Sequence, residues 1–200
     1  MDYSKLQNGS DIRGVALEGI EGQHVNLTEA ACRDIGRGFT LWLTERTGKK
    51  ANELNHPVVL DPVGAGASKL RIQTAIKLLN EVKLTVIRGN ISEIKTLALG
   101  GGTTKGVDAD VADKVTQENL DDVVAFAKAF AAKTGAVIAI TGAIDIVADS
   151  NKAYCIYNGH PVMSSITGTG CQLSAMTAAF VTANPENPLE AAASAVCAMG

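Results

Sequence analysis

The sequence predicts an α/β protein in which helices cover both faces of a mostly parallel sheet, giving three layers. After His56, short apolar runs alternate with stretches of helical periodicity, as expected of βαβ units. The run 136–140 is almost continuously apolar, which is typical of strands buried on both faces. Polar and glycine-rich segments follow these runs, at the strand ends where ligands gather in parallel sheets.

The elements of this α/β region can be placed in order along the chain. Apolar runs predict strands at 57–60, 84–87 and 136–140, and a hairpin formed by 144–148 and 153–157. Helices are predicted around 72–79, over 92–99, from an N-cap at Thr116 to Gly135, from Cys171 to about 183, and after Pro188.

The first part of the chain has a different character. Residues 1–27 show no sustained period, and a single amphipathic helix is predicted from Thr28 to Thr47. Neither residues 1–27 nor this helical segment contains a continuous apolar run like 136–140. We therefore predict two parts, a short appended segment over 1–55 and the α/β domain over 56–200.

Composition excludes several classes of protein. The chain has 200 residues, of which 46% are apolar and 20% charged, as in ordinary globular domains. Its net charge of −3, without a basic block, argues against nucleic-acid or anionic-membrane partners. The N-terminus lacks the apolar core of a signal peptide, and no stretch is long and apolar enough to span a bilayer. The four cysteines lack metal-site spacing, so we expect reduced thiols in a soluble cytoplasmic protein.

The segment 167–171, Thr-Gly-Thr-Gly-Cys, is predicted to open a helix. Its glycines allow close backbone approach, and the free N–H groups at the helix start favour a phosphate. The helix dipole also favours a thiolate at Cys171, which suits a weak general base near a hydroxyl. A glycine-rich helix start without a ligand, and a buried apolar cysteine, are the alternatives.

Three further segments place polar side chains at predicted strand ends. Arg88 can fork onto phosphate oxygens, and the carboxylates of Asp61 and Glu93 could hold Mg2+, mostly through water. Thr141 offers a hydroxyl beside free N–H groups of the turn that follows it. The alternatives are solvated carboxylates, a helix cap at Asn90 and a plain hairpin turn after Thr141.

Together these segments resemble one family of enzymes. DPVGAGAS, RGNISEI, KGVDA, AITGAIDIVAD and TGTGCQLSA occur in the order and spacing of the hydroxyethylthiazole kinase family, over about 57–200. The resemblance implies a ribokinase-like fold. It also implies transfer of the γ-phosphoryl group of ATP to the hydroxyl of 4-methyl-5-(2-hydroxyethyl)thiazole, a step of thiamine biosynthesis and salvage.

The resemblance also implies roles for individual residues and an assembly. The implied site residues are Arg88 and Thr141 for ATP, Asp61 and Glu93 for Mg2+, Gly168 for the thiazole alcohol, and Cys171 for the reacting hydroxyl. Related pyrimidine and pyridoxal kinases are expected to carry aspartate at position 171, which disfavours them. The family is trimeric, so a homotrimer is implied if the subunit surfaces are retained.

The segment 1–55 departs from the kinase pattern. Residues 6–14, 25–28 and the helix 29–43 resemble the extreme N-terminus of the phosphoglucomutase and phosphomannomutase family, without that family's catalytic serine loop. The kinase pattern is thus expected to be truncated at both ends. Two alternatives remain open: a chimeric or truncated nucleotide-binding fragment without turnover, and a fragment of a phosphohexomutase.

Overall fold

A computed structural model describes residues 7–8, 11–12, 55–100, 114–166 and 168–200. The chain divides into two compact units, Met1–Asn55 and His56–Gly200. In the first unit, strands β1 (Gln7–Asn8) and β2 (Asp11–Ile12) pair antiparallel in a sheet of their own. The helix predicted over 28–47 lies outside the described residues.

The second unit contains a five-stranded sheet with the order β3-β4-β5-β6-β7. Its strands are β3 (Val59–Leu60), β4 (Val86–Asn90), β5 (Val137–Thr141), β6 (Asp145–Ala148) and β7 (Ala153–Ile156). The first three run parallel, whereas β6 and β7 form the predicted antiparallel hairpin beside β5. The register of β4 on β5 places Asn90 opposite Thr141 at the carboxyl ends of both strands.

Helices cover both faces of this sheet. They are α1 (Lys69–Glu81), α2 (Ile91–Ala98), α3 (Leu120–Thr134), α4 (Thr169–Ala183) and α5 (Pro188–Met199), with a 3-10 turn at Pro161–Ser165. None of the helices in the described part of the chain has the length and apolar character that crossing a bilayer requires.

Alternation along β5 creates a separate core on each face of the sheet. Ile138 and Ile140 are fully buried on one face, in a cluster that includes residues of α1, α2 and α3. Val137 and Ala139 are buried on the other face, in a cluster with residues of α4 and α5. This is the predicted three-layer arrangement, because each strand supplies side chains to both layers of helices.

Several predicted boundaries were wrong. The helix α3 begins after Asn119, and Thr116 does not cap it; instead, the Thr116 amide donates to Asn119 Oδ1 at 2.9 Å. β4 begins and ends later than predicted, because pairing with β5 continues as far as Asn90. α4 begins before Cys171, since Gly168 occupies the N-cap position.

Candidate functional site

Arg88 connects the segments that the sequence predicted to converge. Its side chain lies on β4 and is only 12% exposed. Nη1 donates to Asp61 Oδ2 at 3.0 Å and to the Gly170 carbonyl at 3.2 Å, and Nη2 donates to Thr141 Oγ1 at 2.9 Å. One guanidinium therefore joins the end of β3, the end of β5 and the first turn of α4.

Ser174 belongs to the same cluster, and the sequence analysis missed it. Its hydroxyl lies 2.7 Å from Asp61 Oδ2 and 3.1 Å from the Gly170 carbonyl. The available signal was a serine one turn after the glycines, on a helix whose neighbouring Leu173 and Thr177 are buried. That spacing places a hydroxyl over the carbonyl of the fourth preceding residue.

The first turn of α4 is open. Gly168 is its N-cap, with φ of 92°, a left-handed conformation that favours glycine, and no side chain of the described residues caps the helix. Thr169, Gly170 and Cys171 form the first turn, and Cys171 is exposed, so its thiol is not a buried core group. Free N–H groups and the positive end of the helix dipole make such a start suitable for an anion.

Gly170 is also required for the close approach of Arg88. A Cβ atom at this position would lie 3.1 Å from Arg88 Nη1, which is tighter than ordinary van der Waals contact. The second glycine of the motif therefore lets the guanidinium pack directly against the backbone of the helix start.

Glu93 has a structural task. Its Oε2 accepts from the Asn90 amide at 2.9 Å, while Asn90 Oδ1 accepts from the Glu93 amide at 2.8 Å, forming a capping box on α2. Its Oε1 accepts from the Gly64 amide at 2.8 Å, which fastens the loop after β3. The helix cap at Asn90, one of the alternatives above, is thus present. Both Glu93 oxygens keep a further lone pair for water.

The turn between β5 and β6 is closed by Asp145. Its Oδ1 accepts from the Gly142 amide at 2.8 Å. Burial raises the pKa of the Asp145 carboxyl above its ordinary value, although the Gly142 hydrogen bond and the charge of Arg88 act in the opposite direction.

A cavity of about 670 Å³ opens beside this cluster. Arg88, Thr141 and Gly170 line it together with Asp145, and His160, Met163 and Leu173 contribute to a more apolar wall. Of the predicted site residues, Asp61, Glu93, Gly168 and Cys171 are not among its walls. This volume is in the range of small-molecule and cofactor pockets.

The cluster offers few protein ligands for Mg2+. Across the described residues, no three His, Cys, Asp or Glu side chains are grouped to hold a metal ion. Asp61 Oδ2 is occupied by Arg88 and Ser174, whereas Oδ1 has no hydrogen bond to any described residue. The site thus fits an Mg2+ ion that takes most of its ligands from water and phosphate oxygens, as this ion commonly does.

The fold and the site define an α/β protein with helices on both faces of its sheet, and with an open helix start and a buried arginine at the carboxyl ends of parallel strands. The model of the hydroxyethylthiazole kinase family matches residues 40–200. The chain belongs to the hydroxyethylthiazole kinase family. The predicted fold class is confirmed.

Individual relatives agree with this assignment. The chain is 70% identical over 155 residues to hydroxyethylthiazole kinase of Clostridium acetobutylicum, covering 78% of this chain and 57% of the relative. It is 48% identical to the enzyme of the same name from Alkaliphilus oremlandii, covering 78% and 56%. The solved hydroxyethylthiazole kinase of Pyrococcus horikoshii superposes with a TM-score of 0.60 at 34% identity, covering 73% and 50%.

The extent of these matches has two consequences. The chain spans little more than half the length of the curated relatives it matches. The family match begins at residue 40, upstream of the boundary predicted at 56, and favours a kinase over a phosphohexomutase fragment across that range. The mutase-like resemblance of the preceding residues stays a prediction.

Proposed function

We propose that the protein transfers the γ-phosphoryl group of ATP to the hydroxyl of 4-methyl-5-(2-hydroxyethyl)thiazole, in thiamine biosynthesis or salvage. The observation that carries this proposal is the open first turn of α4 held against Arg88, in a chain of the hydroxyethylthiazole kinase family. Phosphoryl transfer is catalysed mainly by positioning and by neutralising charge, and this arrangement offers both.

ATP would occupy the cavity beside Arg88 and Thr141. Arg88 retains donor capacity there, because one Nη2 proton has no described partner and its buried Nε is likewise unpartnered in the described part of the chain. Protein acceptors hold the rest of the guanidinium, so its orientation is set before the nucleotide arrives. The free amides of the first turn of α4 would stabilise the charge on the transferred group.

Mg2+ would supply charge neutralisation on the phosphates when bound. Asp61 would hold it through Oδ1, and Glu93 would contribute through water, since both of its oxygens already accept from backbone amides. Gly168 would lie against the thiazole alcohol. Cys171, exposed in the same turn, would accept the proton that leaves the attacking hydroxyl.

The experiment is a transfer assay with labelled ATP and the thiazole alcohol. Cys171→Ala should lower turnover by about a hundredfold while leaving the affinity for ATP nearly intact, because general-base assistance is usually worth that much. Cys171→Asp should retain activity, since a carboxylate accepts a proton from the same place. An alanine variant that turns over at the parent rate would remove Cys171 from the reaction.

The same assay separates transfer from the alternative of a nucleotide-binding fragment. Binding of Mg-ATP by calorimetry without any transfer in the parent chain would favour that alternative. Transfer to a pyrimidine alcohol or to pyridoxal in place of the thiazole would reassign the substrate within the same class of kinases.

The proposal extends to organisation and assembly. We infer a cytoplasmic homotrimer, as the family resemblance implies, and sedimentation equilibrium tests the subunit number. We also infer that 1–55 is an appended segment, in keeping with the division of the chain between Asn55 and His56. Limited proteolysis that leaves 56–200 intact would support this boundary, and a stable product beginning near residue 40 would move it upstream.

A further inference from the structure

Of the hydrogen bonds described in the site, the one between Ser174 and Asp61 joins the residues that lie farthest apart along the chain. The two residues are 113 positions apart, and the distance from Ser174 Oγ to Asp61 Oδ2 is 2.7 Å. Asp61 follows β3, whereas Ser174 lies in the second turn of α4. The contact therefore connects the loop that would face Mg2+ with the helix that would face the phosphoryl group.

A count of protons shows which bonds coexist. The single Ser174 proton has two candidate acceptors, and the shorter distance together with the charge of Asp61 favours Oδ2 over the Gly170 carbonyl at 3.1 Å. Arg88 Nη1 has two protons, one for Asp61 Oδ2 and one for the Gly170 carbonyl. These three hydrogen bonds link Ser174, Asp61, Arg88 and the Gly170 carbonyl in one open network.

This network leaves the two oxygens of Asp61 in different states. Oδ2 accepts from both Arg88 and Ser174, and Oδ1 accepts from no described residue. The Asp61 side chain is 22% exposed, so water can reach it. A carboxylate fixed through one oxygen offers the other in a set direction, whereas one bound by Arg88 alone could rotate.

We propose that Ser174 is a positioning residue: with Arg88 it holds Oδ2 of Asp61, so that Oδ1 is the oxygen available to the hydrated Mg2+ of the bound nucleotide. This inference rests on the proposed function, since its ligand is Mg-ATP. Ser174 itself would touch neither the metal nor the nucleotide. Its contribution should therefore appear only when the metal is present.

The experiment measures the affinity for ATP by calorimetry, once with Mg2+ and once with EDTA, in the parent chain and in Ser174→Ala. In the parent, Mg2+ should increase the affinity. In the variant, that increase should fall by about three- to tenfold, the net contribution of one ordinary hydrogen bond, because Ser174 acts on the metal only through Asp61. The affinity for ATP in EDTA should be unchanged, because Arg88 and the open helix start remain.

Two further variants test the same idea. Ser174→Thr keeps the hydroxyl and should restore most of the Mg2+ effect. Ser174→Cys has nearly the same volume but a weak donor, so it should behave like the alanine variant even if alanine fails to fold.

Thr182→Ala is the matched control. Thr182 lies on the same helix and donates to the carbonyl of Ala178, four residues before it, at 2.7 Å, but it bonds to no carboxylate among the described residues. Its replacement should leave both affinities unchanged.

The outcomes separate this inference from the proposed function. A folded Ser174→Ala or Ser174→Cys chain with the full Mg2+ effect would overturn the role of Ser174 and leave the kinase proposal intact. An equal loss of affinity in Mg2+ and in EDTA would show a general structural role instead and would also overturn it. A folded parent chain that binds no ATP in either buffer would overturn the proposed function, and this inference with it.

Discussion

The two helices that begin at the candidate site, α2 and α4, differ in whether side chains satisfy the amide N–H groups of their first turns. α2 is closed by its own side chains, since Asn90 and Glu93 exchange hydrogen bonds in a capping box. α4 begins at Gly168 with no side-chain cap and no acidic residue in its first turn. Instead, Arg88 of β4 donates to the Gly170 carbonyl in its first turn, and Ser174 of the same helix bonds to Asp61.

The difference shows how one site can contain both a fixed wall and a binding position. A capping box satisfies backbone N–H donors at a helix start, so α2 has little to offer an anion. With glycine as its N-cap, α4 gives up only about a few tenths of a kcal/mol of helix stability and keeps its amides for a ligand. The four predictions below test this comparison.

The largest effect is expected for Arg88→Ala. This variant removes the cation from the partly buried Asp61 carboxylate and the donor from the Gly170 carbonyl, so unfolding should become easier by about 3 kcal/mol. Affinity for Mg-ATP should fall as well. Urea unfolding followed by circular dichroism measures the first quantity.

Arg71→Ala is the control for Arg88. Arg71 is exposed, and its hydrogen bond to the Val63 carbonyl is long, at 3.4 Å. Its removal should change stability by less than about 0.5 kcal/mol. Equal losses in the two arginine variants would show that Arg88 does not hold the start of α4.

Gly168→Ala and Gly135→Ala form a matched pair. Both glycines have positive φ, 92° and 73°, and a Cβ atom would meet nothing within 4 Å at either position. Each variant should lose about 1–2 kcal/mol of stability from backbone strain alone. Only Gly168→Ala should also weaken binding of the thiazole alcohol, because Gly135 precedes β5, at the opposite end of that strand from Thr141. Equal affinity for the thiazole alcohol in the two variants would contradict a ligand at Gly168.

Asn90→Ala removes the cap of α2. We expect a loss of about 1 kcal/mol in unfolding free energy. The affinity for ATP without metal should not change, since the amides of α2 are not offered to the ligand. Asn90→Asp keeps an acceptor and should restore stability. A clear fall in ATP affinity in a folded Asn90→Ala chain would show that α2 takes part in binding.

The smallest effect concerns Asp145, which lines the cavity in front of α4. Its carboxyl pKa is raised by burial, so the folded state binds its proton more tightly than the unfolded state does. The stability that the folded state gains from this tighter proton binding is fully present below the pKa of Asp145 in the unfolded chain. It is lost as pH rises through the pKa of Asp145 in the folded protein. Asp145→Asn can still accept from Gly142, so its melting temperature should decline less than that of the parent between pH 4 and pH 7. Parallel melting curves would contradict this.

Much of the fold followed from the pattern of apolar residues. The strand 136–140 and the final helix after Pro188 could be predicted because continuous or periodic runs of apolar residues indicate that they are buried. The end of β4 could not, because Arg88 and Asn90 look like loop residues. Only the ladder to β5 shows that their backbone is part of the sheet.

The site was predictable to a similar degree. Arg88, Thr141 and Asp61 were expected to converge, and the structure brings them into direct contact. The capping role of Glu93 and the hydrogen bond from Ser174 to Asp61 were not predicted. Both depend on which lone pair of a carboxylate is already occupied, and that information exists only in three dimensions.

The number of residues that separate the hydrogen-bonded partners of the site bears on the order of folding. Strands β5, β6 and β7 join neighbours through short turns, so their pairing requires little loop closure. Arg88 instead bonds to residues 27, 53 and 82 positions away, and Ser174 spans 113. Contacts between distant segments cost more chain entropy and form later than local ones. The hairpin side of the sheet is therefore expected to fold first, and the binding position to close in the final step of folding.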